Sequence, residues 1–344
     1  MMGFPGRAIS AATHKIGNLP ILVLMPHSRC NCRCVMCDIW KANHERREIT
    51  VEDLEAHLEA FKKLGVKSVA LSGGEALMHA NLWKFCQLLQ SIDIKISLLS
   101  TGILLQHHAK EIVDHCDDVI VSLDGSQETH NAIRNIPGAF EKLEEGVRTL
   151  KKLKPGFRVS GRTVLQKQNF REFLIIIRTA KALGLDQISF LGADVSSGAF
   201  NRSNPWKPEK ISEVALTVDE VQELQLIFQN AFLEFKAEFD NHYIAESRDK
   251  LLDIGQHYLA LTGTTPFPKK KCNAPWVSAV IESNGDVLPC FFHKPYGNIH
   301  ANSFVEIINS PAAISFRKNL EVKTNATCQR CVCSLYVPLL SSVH

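Results

Sequence analysis

Residues 21–37 read ILVLMPHSRCNCRCVMC, an apolar run that passes without a break into a polar loop carrying four cysteines. The run at 21–25 has the length and composition of a strand. Cys30, Cys34 and Cys37 then form a C-x3-C-x2-C set. Three thiolates in so short a loop can wrap one face of a cluster with no regular structure between them, and soft thiolates select iron–sulfur clusters or zinc. A cubane held by three cysteines leaves one iron open to a small molecule. A structural zinc site more often uses paired C-x2-C knuckles and needs a fourth ligand nearby. His27 or Cys32 could supply that ligand, so spacing alone leaves both metals open.

Outward from this loop, strands and helices alternate. The next apolar run, 67–71, leads straight into Ser72-Gly73-Gly74-Glu75. Two glycines let a backbone approach a ligand closely, and Glu75 puts a carboxylate at the strand's C-terminal end. Thr50 and Asp53 make a capping-box-like helix start between the two runs. Further strands are predicted over 94–99, 118–123, 158–165 and 187–191. Helices are predicted over 80–92, 104–116, 139–153 and 169–183, the last capped by Asn169. Six strands alternating with helices imply a parallel sheet, because each crossover helix returns the chain to the same edge. The expected fold class is α/β: a partial (β/α)6 TIM-like barrel with a small C-terminal β-hairpin and helix domain, which the family resemblance given below implies to be an iron–sulfur domain. In barrels the C-terminal ends of the strands carry the chemistry, and that end holds both the cysteine loop and Gly-Gly-Glu.

Composition bounds the rest. A length of 344 residues suggests two domains, or one barrel with an appendage. Hydrophobic residues at 45% and charged residues at 22% exclude a mostly disordered or collagen-like chain. A net charge of +3 gives no case for a nucleic-acid or membrane-surface protein. No secretory signal is recognisable at the N-terminus, and a cytoplasmic location is expected. Eleven cysteines, an odd number, fit a disulfide framework poorly in that compartment. Cys86 and Cys116 lie alone in helical patterns and read as small buried apolar side chains. Cys272, Cys290, Cys328, Cys331 and Cys333 gather near the end. A Gly/Ser/Asn/Pro-rich loop at 192–208, helices at 217–239 and 245–261, and a boundary at 264–271 lead to them. Asn284-Gly285, between apolar runs at 277–282 and 286–289, signals a hairpin that would bring Cys272 and Cys290 to comparable height. The later C-x2-C pair could close a four-thiolate shell around zinc or a cluster.

Taken together, these motifs resemble the radical S-adenosylmethionine (SAM) superfamily over residues 21 to about 191. The cysteine triplet has the family spacing. Leu71 to Glu75, followed by Ala76-Leu77-Met78, is similar to the family's amino-group-binding segment. Ser100-Thr101-Gly102 resembles its third-strand motif, altered from Thr-Asn-Gly. Val121-Ser122-Leu123-Asp124-Gly125, with His130 and Arg134 beyond, resembles its fourth. Met36 stands where an aromatic residue is usual, and its polarizable sulfur can still pack on an adenine.

The resemblance implies that Cys30, Cys34 and Cys37 hold a [4Fe–4S] cluster whose open iron is chelated by SAM. It implies that Glu75 accepts hydrogen bonds from the SAM amine, with Gly73 and Gly74 lining that contact. Ser122 and Arg134 become candidates for the ribose or the carboxylate, and Cys32 a bystander. The implied chemistry is reductive cleavage of SAM to a 5′-deoxyadenosyl radical that abstracts a substrate hydrogen atom.

The pattern C-x12-G-x4-C followed by C-x2-C resembles the SPASM extension of such enzymes, or its short form, twitch. This implies one auxiliary [4Fe–4S] cluster on Cys272, Cys290, Cys328 and Cys331, with Cys333 a replacement for Cys331 or a spare. A fully ligated cluster suits electron transfer, and the expected reaction is a dehydrogenase-like oxidation of a small molecule. A peptide or protein maturase is the alternative within the enzyme class; a non-redox, zinc-stabilised binding protein is the rival from outside it. Expected partners are SAM, a small-molecule or peptide substrate, and an electron donor such as flavodoxin or ferredoxin. Arg162 and the loop 194–207 could face the cavity, though a salt-bridge or connecting role is the blander reading. His293 could tune the auxiliary cluster, and no residue stands out as a general base. The expected organisation is an N-terminal extension (1–19), the radical SAM barrel (20–215), a helical linker (216–264), the auxiliary-cluster domain (265–338) and a tail (339–344).

Overall fold

A computed structural model describes residues 3–202 and 205–338; the tail expected over 339–344 lies outside them. Strands β1 (Ile21–Leu24), β2 (Ser68–Leu71), β3 (Lys95–Ser100), β4 (Asp118–Ser122), β5 (Arg158–Leu165) and β6 (Gln187–Gly192) pair in parallel, each with the next in sequence. The strand–helix alternation therefore builds the partial barrel. Side chains alternate across a strand, and the two sets meet different surroundings. Leu22, Leu24, Val69, Leu71, Ile96, Leu98 and Val119 join Phe61, Phe85, Ile112 and Val147 in one buried core. The opposite set, including Leu99, Ile120, Ser122, Arg162, Val164 and Leu191, lines a cavity.

Strand β7 (Ser278–Ile281) pairs in parallel with β1, and β8 (Asp286–Leu288) and β9 (Gly297–Asn298) follow it antiparallel. The hairpin forms around Asn284-Gly285, with Gly285 at a φ of 85° that favours glycine. It extends the barrel sheet, whose order is β6-β5-β4-β3-β2-β1-β7-β8-β9. The sheet stays open, with β6 as its last strand on one side.

Local signals near the site are realised unevenly. Thr50 and Asp53 form a full capping box at Val51–Glu55, with Thr50 Oγ1 accepting from Asp53 N at 3.0 Å and Asp53 Oδ2 accepting from Thr50 N at 2.8 Å. Asn169 does not cap the helix predicted after it. A 3₁₀ turn, Phe170–Glu172, precedes the helix Phe173–Ala182. The Asn169 amide instead donates to Asp124 O at 2.9 Å and Val164 O at 3.0 Å, tying the end of β4 to the end of β5. An additional helix, Gln127–Arg134, buries His130, Ile133 and Arg134. Its sequence, QETHNAIR, has no apolar stripe to announce it. The loop after β6 folds onto the cysteine loop. Buried Arg202 pairs with Asp194 at 2.7 Å, donates to Met36 O at 3.3 Å and stacks on Trp206. Trp206 in turn donates to Asp38 Oδ2 at 2.7 Å.

Candidate active site

The cysteine loop is held by backbone and amide contacts on three sides. Cys30 N donates to Asn43 Oδ1 at 2.8 Å, and Asn43 Nδ2 donates back to Cys30 O at 3.0 Å. Arg33 N and Val35 N donate to the carbonyls of Arg134 and Ile133. Glu75 N donates to Arg29 O at 3.0 Å. Gly74 makes this last contact possible, because a Cβ there would overlap the Arg29 carbonyl. Its glycine serves the approach of the cysteine loop. Gly73 has a φ of 104°, the left-handed region. Gly74→Ala is expected to displace the loop and lower the iron content by about half, on a count of one cluster per cysteine set; a colorimetric iron assay on the reconstituted chain checks it.

Cys30, Cys34, Cys37, Gly73, Gly74, Ser122 and Arg134 all line one largely apolar cavity of about 260 Å³. The sequence therefore named groups that tertiary folding brings together. Glu75 is placed differently. Its carboxylate is fully buried behind the cavity wall, where it accepts from Ser100 Oγ at 3.0 Å, Thr101 N at 2.6 Å and Leu77 N at 3.2 Å. Burial pushes its pKa up against those hydrogen bonds. In this geometry Glu75 braces Ser100 and Thr101, which do line the cavity.

Electrostatics single out Cys34. Arg134, buried, donates through Nη1 to Cys34 Sγ at 3.5 Å and holds Asp124 Oδ2 through Nε at 2.6 Å and Nη2 at 2.5 Å. The Cys32 thiol donating to Cys34, together with the Arg134 charge, holds the Cys34 thiol below its ordinary value. Burial pushes the Cys30 and Cys37 thiols up to about 12. Asp124, part of the fourth-strand motif, is the counter-ion of Arg134, a role that has no signal in sequence spacing. His130 lies 3.9 Å from Asp124 and is held neutral by burial, its pKa lowered to about 4.

A zinc reading of this loop loses one of its two candidate fourth ligands. His27 Nε2 bonds Glu75 O at 2.9 Å, and His27 Nδ1 accepts from Arg29 N at 2.9 Å, so both ring nitrogens are spent on backbone. Among the described residues no three His, Cys, Asp or Glu groups are arranged around one ion position.

The second cysteine set also converges. Cys272, Cys290, Cys328, Cys331 and Cys333 line one small apolar cavity of about 40 Å³, with Ala274 and Leu320 among its walls. Cys333 N donates to Cys331 Sγ at 3.3 Å, and His293 Nε2 lies 3.4 Å from Cys328 Sγ. Backbone N–H donors and apolar walls are what thiolate-bound clusters use to set their potential. Phe291, Phe292 and Cys333 line both cavities. The two cysteine sets therefore face a shared partition.

Comparison with known proteins gives this arrangement its class. The radical SAM superfamily profile matches residues 24–189, and the SPASM profile, an iron–sulfur cluster-binding domain, matches residues 272–332. The chain carries a radical SAM domain over residues 24–189 and a C-terminal SPASM domain over residues 272–332. Its cofactors are accordingly [4Fe–4S] clusters and SAM. The AdoMet-dependent heme synthase of Methanosarcina barkeri is 26% identical over 81% of this chain and 78% of that protein. The antilisterial bacteriocin subtilosin biosynthesis protein AlbA of Bacillus subtilis is 24% identical over 82% of this chain but only 58% of its own length. The crystal structure of Streptococcus suis SuiB bound to S-adenosylmethionine superposes with a TM-score of 0.65, covering 96% of this chain and 76% of that one at 16% identity. That likeness is one of fold. No helix among the described residues is long and apolar enough to cross a membrane.

Proposed function

We propose that this radical SAM enzyme oxidises a substrate held between its two cysteine sets, with the auxiliary centre taking up or relaying the substrate electron. One observation carries the reading: the central cavity is lined by Cys30, Cys34 and Cys37 together with Phe291, Phe292 and Cys333, which also wall the auxiliary cysteines. A cluster on Cys30, Cys34 and Cys37, with SAM bound, would supply reductive cleavage and the 5′-deoxyadenosyl radical. The chain's own part is placement. Arg134 and Asp124 set the charge beside Cys34, and Ser100 and Thr101, braced by Glu75, present hydroxyls to the cavity. Leu99, Ile120, Val164 and Leu191 give it apolar walls, which would help exclude water from the reacting groups. Cys272, Cys290 and Cys328, with Cys331 or Cys333, would hold the auxiliary cluster, and a flavodoxin- or ferredoxin-like donor would supply electrons. A small molecule is the preferred substrate.

Incubation with deuterated candidate substrates tests this: label must pass into 5′-deoxyadenosine, and unlabelled product from every small molecule would sink the small-molecule reading. Cys272→Ala and Cys328→Ala are each expected to lose about half the iron, on the same one-cluster-per-set count, and all substrate turnover. Unchanged iron would refute the auxiliary site. Peptide modification is the second reading, favoured by the likeness to AlbA and to the sporulation killing factor maturation protein SkfB of Bacillus subtilis, 24% identical over 91% of this chain. Label transferred from a deuterated peptide instead would select it.

A further inference from the structure

Beside the central cavity lies a second, larger one of about 540 Å³, at the β6 side where the sheet ends. Its walls come from the end of β6, the helix Arg248–Leu261, the segment 269–271 and the segment 332–336. Lys250, Lys269, Lys270 and Lys271 line it against Asp249 and Asp253, an excess of positive charge in a concave site. Lysines are compact point charges that attract anions without demanding a planar partner.

A buried group points the same way. His257 lines this cavity and is only 2% exposed, yet neither ring nitrogen has a hydrogen-bond partner. Burial holds it neutral, its pKa lowered to about 3, so the ring offers one N–H donor. Buried polar groups are nearly always satisfied, and a donor left open on a lysine-rich wall calls for an acceptor. Leu191 and Val332 line both this cavity and the central one, and Lys270 lines both it and the auxiliary cysteine cavity.

We propose that this chamber is a second binding site, which takes a multiply charged anionic group of the substrate, carboxylate or phosphate, while the reacting part reaches past Leu191 and Val332 into the central cavity. The inference rests on the function proposed above, and it narrows the substrate to a molecule with an anionic end and an apolar reacting end.

Isothermal titration of the reconstituted, full-length chain with citrate and with pyrophosphate tests it, under saturating SAM so that the N-terminal centre is closed to the probe. The expected result is saturable one-to-one binding that weakens with salt. The tighter probe identifies carboxylate or phosphate as the recognised group. Lys250→Ala/Lys269→Ala should weaken binding at least about tenfold, or about 1.4 kcal/mol, and Lys250→Arg should retain it. Both lysines are exposed, so the double variant is expected to keep its thermal midpoint. His257→Phe, which keeps the ring and removes the donor, should weaken binding as well. Absence of saturable binding of either probe, or affinities untouched by the double variant, overturns the proposal and leaves a water-filled cavity. SAM cleavage by the same wild-type preparation separates the two readings. A chain that cleaves SAM but binds neither anion sinks the chamber alone. One that binds the anion but cannot cleave SAM sinks the enzymatic reading alone.

Discussion

Cys34→Ala is expected to abolish formation of 5′-deoxyadenosine from SAM under a chemical reductant, and to lower the iron content by about half, the share of one cluster in two. Cys30→Ala and Cys37→Ala should do the same. Each removes one of three thiolates, and two cannot hold a cubane with a single open corner. Cys34 has the further distinction of contacting Arg134, so its loss also leaves a buried guanidinium without its sulfur partner. Cys32 offers no rescue: it is buried beneath Cys34 and outside the cavity lining. The contrast with Cys86→Ala is the control, since Cys86 packs in the main core far from either cysteine set in function. Chromatographic detection of 5′-deoxyadenosine decides the matter; persistent cleavage in any one of the three variants would remove that cysteine from the ligand set.

The second large effect concerns stability. Arg134→Ala is expected to destabilise the chain by about 3–5 kcal/mol, because it strands the Asp124 carboxylate in the interior. Asp124 is fully buried and its Oδ1 has no partner. The nearest other group of compensating sign would be His130, at 3.9 Å, which burial keeps neutral. Removing both charges at once should cost less than removing one, so Asp124→Asn/Arg134→Met is expected to recover much of the loss. Urea midpoints of the metal-free chain measure this directly and separate it from cluster loading. An unchanged midpoint in Arg134→Ala would mean the ion pair adds nothing to the fold.

Legibility in the sequence followed the range of the forces involved. The strand at 158–165 and the helix at 139–153 have the bounds that periodicity predicts, because an alternating or 3.6-residue apolar pattern is written in the residues that form it. The capping box at Thr50 is equally local. The helix Gln127–Arg134 was invisible, since it is held by a buried ion pair and by its seat against the cysteine loop. Asn169 reads as a helix cap by type, yet its amide is claimed by two carbonyls from neighbouring strands. Glu75 has the motif position of a ligand-binding carboxylate. Its direction was set by the competing donors of Ser100 and Thr101 one strand away.

The candidate metal donors, their grouping into two sets and the strand–helix alternation are legible in short stretches of the sequence alone. Which groups share a wall was decided by the fold. The parallel pairing of β1 with β7 joins segments more than two hundred residues apart, and Phe291, Phe292 and Cys333 line the same cavity as Cys30, Cys34 and Cys37. No local pattern encodes such a contact, because its free energy comes from surfaces that meet only after the intervening chain has folded. The lysine-lined chamber and the unpartnered His257 belong to the same category: each residue is ordinary in sequence, and only their convergence beside the reacting cavity gives them a part in its chemistry.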